Sequence, residues 1–199
     1  MKNKKLSLNQ IFNFGGIRLD IKKCKIKMIV DSREKVFNHI TSEWDKNKIE
    51  YHIFKKEDSM KVGDYSIAIK TPTGEVIDFR DKIVIERKSD LSELVGNFTG
   101  AKDEEGNSRI VREFIRAKEK GIKVLLLVED LQGYNKAINV YLREDKPSKM
   151  NPKAFIAMLF TYQARYNFDI VFIYKKNSAS YIYNYLYYQA REYLRNMEG

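Results

Sequence analysis

Cysteine and histidine are scarce in this chain of 199 residues, which contains one cysteine, Cys24, and two histidines, His39 and His52. A single cysteine cannot form an internal disulfide bond, and neither histidine has a second metal-binding residue at the spacing of a zinc site. These absences exclude a disulfide-stabilised secreted domain and a structural zinc site. They favour a protein of a reducing compartment.

Long apolar runs are missing as well. The longest wholly apolar run, residues 154–160, is far too short to cross a bilayer, and the N-terminus lacks the apolar stretch of a signal peptide. We therefore expect a soluble intracellular protein without a membrane partner. A cytoplasmic location is the simplest expectation, and association with the nucleoid or a viral origin are its alternatives.

A linker rich in proline, glycine or serine is also absent. The hydrophobic content of 43% with 13% aromatic residues is that of a folded globular protein. We therefore predict a single domain over residues 26–199, preceded by a basic N-terminal arm over residues 1–25.

Acidic residues are nearly absent from the start of the chain. Residues 1–27 contain eight lysines or arginines and one acid, Asp20, which gives a net charge of +7 in a chain whose total is +10. Such an arm would attract phosphate backbones by releasing their counterions. A solubilising tail would have the same composition, so charge alone leaves both interpretations open.

Hydrophobic periodicity predicts an α/β order of elements. Strands are predicted at residues 26–30, 49–54, 65–70, 76–79, 83–88, 122–128 and 168–174. Helices are predicted at residues 31–46, 90–95, 108–120, 151–166 and 178–197. The four strands between residues 49 and 88 follow one another through short connections, which predicts an antiparallel meander.

Two short motifs contain candidate catalytic residues: Gly63-Asp64 and Glu86-Arg87-Lys88. Glu86 and Lys88 are two residues apart in a segment that alternates like a strand, so their side chains leave the backbone on one side and Arg87 on the other. Carboxylate oxygens are the ligands that Mg²⁺ or Mn²⁺ prefers, and a nearby lysine can orient or help deprotonate a metal-bound water. The combination indicates a nuclease centre.

Each candidate acid also has a purely structural interpretation. Asp31 and Glu34 form a D-x-x-E pattern typical of a helix capping box. Asp64 after a glycine is typical of a turn, and Glu86 is a natural cross-strand partner for a basic residue. The functional interpretation therefore depends on one fold that brings the acids together.

The order of these motifs resembles the XPF-type family of structure-specific DNA endonucleases, whose hallmark is written GDXnERKX3D. Gly63-Asp64 matches the first part of the hallmark and Glu86-Arg87-Lys88 matches the second. The resemblance covers the chain from about Lys25 to its end. It implies a restriction-endonuclease-like core, in which helices flank a mixed central sheet.

One position departs from the hallmark. Its final acid would lie at residue 92, which is Ser92, and Asp90 and Glu93 on either side are candidate replacements. The sequence does not decide between them. The tandem helix-hairpin-helix domain of many family members is not expected after the last helix.

The resemblance implies a Mg²⁺-dependent or Mn²⁺-dependent endonuclease that acts on flaps, forks or junctions in DNA repair or recombination. The residues carried over as catalytic are Asp31, Asp64, Glu86 and Lys88, and the three acids among them would be metal ligands. Arg33, Arg87 and Asp90 would support them. The alternative, motivated by Ser92, is a catalytically inactive nuclease fold that binds DNA or serves as a scaffold.

The helix predicted at residues 108–120 is a candidate DNA-binding element. Its basic residues on or near one side are Arg109, Arg112, Arg116 and Lys118. A solvated face with salt bridges would look the same, because Arg109 and Glu113 are i,i+4 partners.

The last predicted helix is crowded with tyrosines. They are Tyr181, Tyr183, Tyr185, Tyr187, Tyr188 and Tyr193. Stacking on bases would use such residues, and so would a subunit interface, which tyrosine favours. We expect a homodimer, or a heterodimer with a related subunit, formed through this region.

Overall fold

The structure is a computed structural model that describes residues 11–14, 17–55, 59–139 and 151–196. Its strands are β1 (Ile11–Phe14), β2 (Ile17–Asp20), β3 (Lys25–Val30), β4 (Glu50–Ile53), β5 (Tyr65–Lys70), β6 (Val76–Asp78), β7 (Ile83–Lys88), β8 (Lys123–Val128) and β9 (Asp169–Phe172). Its helices are α1 (Asn38–Lys46), α2 (Leu91–Thr99), α3 (Arg109–Glu119), α4 (Gly133–Asn139), α5 (Pro152–Tyr166) and α6 (Ser178–Asn196). Within the described ranges, no helix combines the length and the apolar character needed to cross a membrane.

A mixed sheet forms the centre of the molecule. Its strands lie in the order β4-β3-β5-β7-β8-β9, and β6 pairs with β5 outside this path. β3 is parallel to β4 and antiparallel to β5, whereas β7, β8 and β9 are parallel to one another. The predicted α/β class and the mixed sheet flanked by helices are confirmed.

The two faces of this sheet are buried by different helices. Ile67 and Ile85 point to the face that α1 and α6 cover, and Ile29 and Val84 point to the face that α2, α3 and α5 cover. All six residues of β7 are buried, as expected for a strand with helices on both sides. Polar residues on this strand are therefore held in fixed positions.

The predicted antiparallel meander is wrong in its first strand. β4 pairs in parallel with β3, from Lys27 opposite Glu50 to Val30 opposite Ile53. The chain passes through α1 between them, and a crossover of this kind joins parallel neighbours. β5 pairs with β6 in antiparallel fashion as predicted, but β7 pairs with β5 rather than with β6, the strand before it, so the last step of the meander is also wrong.

The helix predicted to start at Asp31 begins instead at Asn38. The capping box does not form, because the Asp31 carboxylate accepts a hydrogen bond from the distant backbone N–H of Met60. The Glu34 carboxylate likewise turns away, and it accepts from Arg87 Nη2 at 2.9 Å. Long-range partners have replaced the local cap.

Smaller differences occur elsewhere. α2 extends to Thr99 rather than Val95, and α4 was not predicted. Part of the predicted basic arm is β structure, because β1 and β2 form an antiparallel pair. Residues 1–10 of that arm, and Met197 at the end of the last predicted helix, lie outside the described residues.

Candidate active site

Asp64 lies where three strands meet. Its backbone N–H donates to Ile85 O in β7, and its carbonyl oxygen accepts from the N–H of Asp31 at the end of β3, both at 2.8 Å. Its Oδ2 accepts from the backbone N–H of Arg87 at 2.8 Å. The carboxylate is thereby held against the strand that contains Glu86 and Lys88.

Gly63 makes this approach possible. Its φ of +77° lies in the region that favours glycine, and a Cβ atom there would lie 2.8 Å from Val84 Cβ. No other residue fits between β5 and β7 without displacing one of them. The glycine of the first motif is therefore a packing requirement that positions the acid after it.

Glu86 and Lys88 point to the same side of the sheet, as predicted, and form a buried ion pair. Lys88 Nζ lies 2.6 Å from Glu86 Oε1, and each side chain is 3% exposed. Lys88 Nζ also lies 3.8 Å from Glu93 Oε1. The Lys88 ammonium group is thus the cationic partner of both the Glu86 and the Glu93 carboxylates.

Burial and mutual repulsion shift the pKa values of the two acids upward. Burial raises the pKa of Asp64 to about 7, although the Lys88 charge opposes the rise. Burial, followed by the negative charge of Asp64, raises the pKa of Glu86 well above its usual value. Burial by itself would lower the pKa of Lys88, but the Glu86 and Asp64 carboxylates outweigh it, so the net direction is upward. The positive charge of Lys88 therefore does not fully offset the burial and repulsion of the Asp64 and Glu86 carboxylates. The same two carboxylates keep the Lys88 ammonium protonated.

Two of these three groups, Asp64 and Lys88, border a cleft of about 380 Å³, and Glu86 reaches it through its ion pair with Lys88. Asp64 and Lys88 lie on its wall together with Glu93, and Arg33, Arg109 and Glu113 also line it. The cleft combines carboxylates with guanidinium groups. That combination suits an anionic substrate bound next to a cation.

Asp31 does not join the other two acids as the predicted third ligand. Its Oδ1 accepts from Arg33 N and Arg33 Nε, each at 2.8 Å, and its Oδ2 accepts from Met60 N. Across the described ranges, no three His, Cys, Asp or Glu side chains are grouped closely enough to hold a metal ion. Asp31 instead orients Arg33 at the edge of the cleft.

Arg87 points to the opposite side of the sheet, also as predicted, and forms a buried network. Its Nη2 lies 2.9 Å from Glu34 Oε1 and its Nη1 lies 2.8 Å from Glu129 Oε2. Glu129 Oε1 in turn lies 2.6 Å from His39 Nε2. The network ties the ends of β7 and β8 to the start of α1, directly behind Glu86 and Lys88.

The two candidates for the missing acid of the hallmark have different positions. Asp90 is the N-cap of α2, and its Oδ1 accepts from Glu93 N at 2.7 Å. Glu93 Oε2 accepts from the N–H and the hydroxyl of Ser89, each at 2.8 Å, and it lines the cleft. Of the two, Glu93 lies beside Lys88.

The basic residues predicted to bind DNA from α3 are spread over three depressions, the third of which is lined by Lys118 and Tyr166. Arg109 lines the cleft, whereas Arg112 and Arg116 line a second depression, where Arg112 pairs with Asp103 at 3.3 Å. Lys118 Nζ donates to the carbonyl oxygen of Arg165. Their role in binding DNA stays a prediction, but only Arg109 borders the candidate active site.

Most tyrosines of α6 pack against their own domain. Tyr181 stacks on Tyr185 with ring centroids 6.3 Å apart, and Tyr183 stacks on Tyr187 at 6.0 Å. Tyr188 is 50% exposed. The proposed dimer through this helix stays a prediction.

Three residues of the site and its support escaped sequence-based prediction. Glu129 follows a buried parallel strand, and the carboxyl ends of such strands meet at one edge, so its position was a usable signal. The sequence indicates for Glu113 only a helical pairing with Arg109, whose Nε lies 3.3 Å from Glu113 Oε1. The Glu113 side chain is 7% exposed and also lines the cleft. Nothing in the local sequence marks His39 as the partner of a residue 90 positions away.

Comparisons with known proteins agree with the fold described above. Residues 30–185 match the family model of the ERCC4 domain. XPF from Aeropyrum pernix has a similar fold, with 18% sequence identity, a TM-score of 0.55 and 83% of this chain covered. The same protein in complex with DNA matches with 17% identity and the same TM-score and coverage. The chain spans 65% and 66% of the length of these two structures. No curated protein matches this sequence.

We predict that Asp64→Asn stabilises the fold in a pH-dependent manner. The native Asp64 has a raised pKa in the folded state, so its ionisation removes stability as the pH rises from about 4 to about 7. The free energy of unfolding gained from the neutral amide should be absent near pH 4 and reach up to about 4 kcal/mol at pH 8, because the pKa of Asp64 rises from 3.8 to about 7 on folding. Urea unfolding across this pH range measures it. Asp81→Asn, at an exposed turn, is the matched control, and an equal gain at pH 4 and pH 8 would contradict the prediction.

We predict that Arg87→Met destabilises the fold by about 3–5 kcal/mol, because it leaves the Glu34 and Glu129 carboxylates buried without their cation. Arg195→Met is the control. Its guanidinium is 61% exposed and lies 3.4 Å from Glu192, so its loss should cost less than about 1 kcal/mol. Chemical denaturation measures the free energy of unfolding that each variant loses. Equal losses in the two variants would show that the buried network adds no stability.

Proposed function

This chain belongs to the ERCC4 domain family, and from that membership and the site we propose that it is a metal-dependent DNA endonuclease that cuts branched DNA. The observation that supports the proposal most is the arrangement of Asp64, Glu86 and Lys88. Two carboxylates with raised pKa values and one protonated amine lie together beside a cleft lined by arginines. Flaps, forks or junctions are the substrates that the sequence resemblance favours.

A divalent cation fits the acids of this site. Mg²⁺ is commonly bound through one or two carboxylates together with waters and substrate phosphates, and Asp64 and Glu86 supply that number. The repulsion between these acids is the kind of charge imbalance that a cation relieves. When bound, Mg²⁺ or Mn²⁺ would lower the pKa of a water and stabilise the charge that develops on the phosphate.

The remaining residues have separable roles in this proposal. Lys88, held protonated by Glu86, would orient the attacking water and donate toward the phosphate. Arg33 and Arg109, on the cleft wall, would bind phosphate oxygens, and Asp31 would position Arg33 through their hydrogen bonds.

Hydrolysis follows without a covalent enzyme intermediate. The water oxygen forms a new bond to phosphorus as the bond to the leaving DNA oxygen breaks in line with it. The attacking water loses its proton and the leaving oxygen gains one. The task of the protein is therefore to hold the phosphate, the water and the positive charge in fixed relative positions.

We predict that the full chain cleaves a labelled DNA fork only when Mg²⁺ or Mn²⁺ is present, and that Glu86→Gln lowers the rate at least about 100-fold, because the amide keeps the shape of the side chain but removes its charge. Gel analysis of a single-turnover reaction measures the rate. Glu75→Gln, at an exposed position directly before β6, is the matched control and should cut normally.

Binding of the fork without cleavage, at every concentration of either metal, would overturn the enzymatic proposal. It would leave the catalytically inactive DNA-binding or scaffold subunit as the function. Equal cleavage rates for the wild type and Glu86→Gln would instead show that this site does not take part in the cleavage reaction.

We further propose that two copies of the chain, or this chain and a related subunit, pair through α6. Tyr188→Glu, at a tyrosine that is 50% exposed, should then shift the sedimentation equilibrium toward the monomer. Tyr134→Glu, at a 40% exposed tyrosine of α4, is the control on another surface. A monomeric wild type at the highest attainable concentration would exclude the homodimer.

A further inference from the structure

One half of the central sheet presents an open face on the same side as Glu86 and Lys88. Over β7 and β8 this side is buried under α2, α3 and α5. Over β3 and β5 this side is buried near the candidate site. It becomes exposed at the opposite end of the two strands, which is the start of β3 and the end of β5. We call this surface the open face and define it by Lys25, Lys27, His52, Phe54, Lys70 and Arg80.

The open face has an excess of positive charge. Lys25, Lys27 and Lys70 are all exposed, and Lys25 lies directly opposite Lys70 in the pairing of β3 with β5. Like charges at directly opposed positions destabilise a sheet. The acids on this surface compensate only in part, because Glu50 lies opposite Lys27 and Asp78 pairs with Arg80 at 2.7 Å.

Aromatic rings lie among these charges. The Arg80 guanidinium carbon lies 4.2 Å from the centroid of the Phe54 ring, and the His52 ring meets Phe54 edge-on at 4.9 Å. Phe54 follows β4, whereas Arg80 follows β6, so this stack lies across β3 and β5. A basic surface with interleaved aromatic rings is typical of nucleic-acid binding.

The open face is also aligned with the candidate active site. β3 runs from Lys25 on the open face to Asp31 at the site, six residues further along the chain. At about 3.3 Å per residue this is about 20 Å, which equals roughly six base pairs of B-DNA at about 3.4 Å each. DNA bound in the cleft could therefore extend one arm over these lysines.

We propose that the open face binds the phosphate backbone of one duplex arm of the DNA substrate, an inference that rests on the proposed function. The lysines neutralise phosphates, and the stack of Phe54 with Arg80 forms the surface between these lysines and the candidate site. An arm shorter than about six base pairs does not reach Lys25. The open face thus selects substrates that have a sufficiently long duplex next to the cleavage point.

The test compares the triple variant Lys25→Ala, Lys27→Ala, Lys70→Ala with a control of equal charge change, Lys120→Ala, Lys153→Ala, Lys175→Ala. All six lysines are exposed. Binding of the full chain to forks with arms of about 4 and about 12 base pairs is measured without divalent metal over a range of salt concentrations. Single-turnover cleavage at saturating protein is measured separately with metal.

We expect the open-face variant to bind the long-arm fork about tenfold more weakly than the control variant does, and the slope of log affinity against log salt to fall by about 2 to 3 for three lost phosphate contacts. The short-arm fork should bind both variants equally, and the cleavage rate at saturation should not change. The midpoint temperature of thermal unfolding should be unchanged or slightly higher, because the repulsion between Lys25 and Lys70 is removed.

Equal binding of the long-arm fork by the two triple variants would overturn the inference, and so would an equal loss for both arm lengths. If the triple variant is unstable, Lys27→Gln against Lys120→Gln gives the same comparison at one position. Failure of the proposed function has a different signature, since a wild type that binds the fork but never cuts it leaves the arm-length comparison intact.

Discussion

The insertion of β5 between β3 and β7 is the constraint on which the candidate site depends. Asp64 donates its N–H to Ile85 and accepts from Asp31 through its carbonyl, so one residue joins strands whose sequences are more than 50 positions apart. Gly63 permits the close contact with Val84 that this requires. The position of the carboxylate follows from the hydrogen bonds of its own backbone, and it stays fixed as long as the sheet does.

The two sides of β7 treat their carboxylates differently. Behind the strand, the Arg87 guanidinium donates to both Glu34 and Glu129, and His39 contacts Glu129, so each carboxylate of this buried network has a hydrogen-bond partner. In front, Lys88 faces Glu86 and Asp64, and the pKa values of both acids rise because burial and repulsion act together. Alternation along one strand therefore places a hydrogen-bonded support and a pair of repelling acids within two residues of each other. Both sides reach the cleft, because Glu34 and Arg87 line it together with Asp64 and Lys88.

The same alternation extends to the rest of that sheet face. Lys25 and Lys27 belong to the series that continues through Ile29 to Asp31, and their side of β3 is the side of Glu86. Under the proposal for the open face, a substrate bound in the cleft would extend along β3 toward these lysines. Catalysis and binding of the duplex arm would then use the same face of the central sheet.

The sequence by itself determined most of the elements of the central sheet and, in β7, the direction of the side chains. Alternation in residues 83–88 was enough to separate Glu86 and Lys88 from Arg87, and Asn151 with Pro152 was enough to place the start of α5, because these signals act over a few residues. Only the tertiary structure decided that β4 is parallel to β3, that Asp31 turns to Arg33 and Met60 rather than to Asp64, and that Glu129 and His39 support the site. Those outcomes depend on which buried polar groups find partners across the whole fold, and no local pattern contains that information.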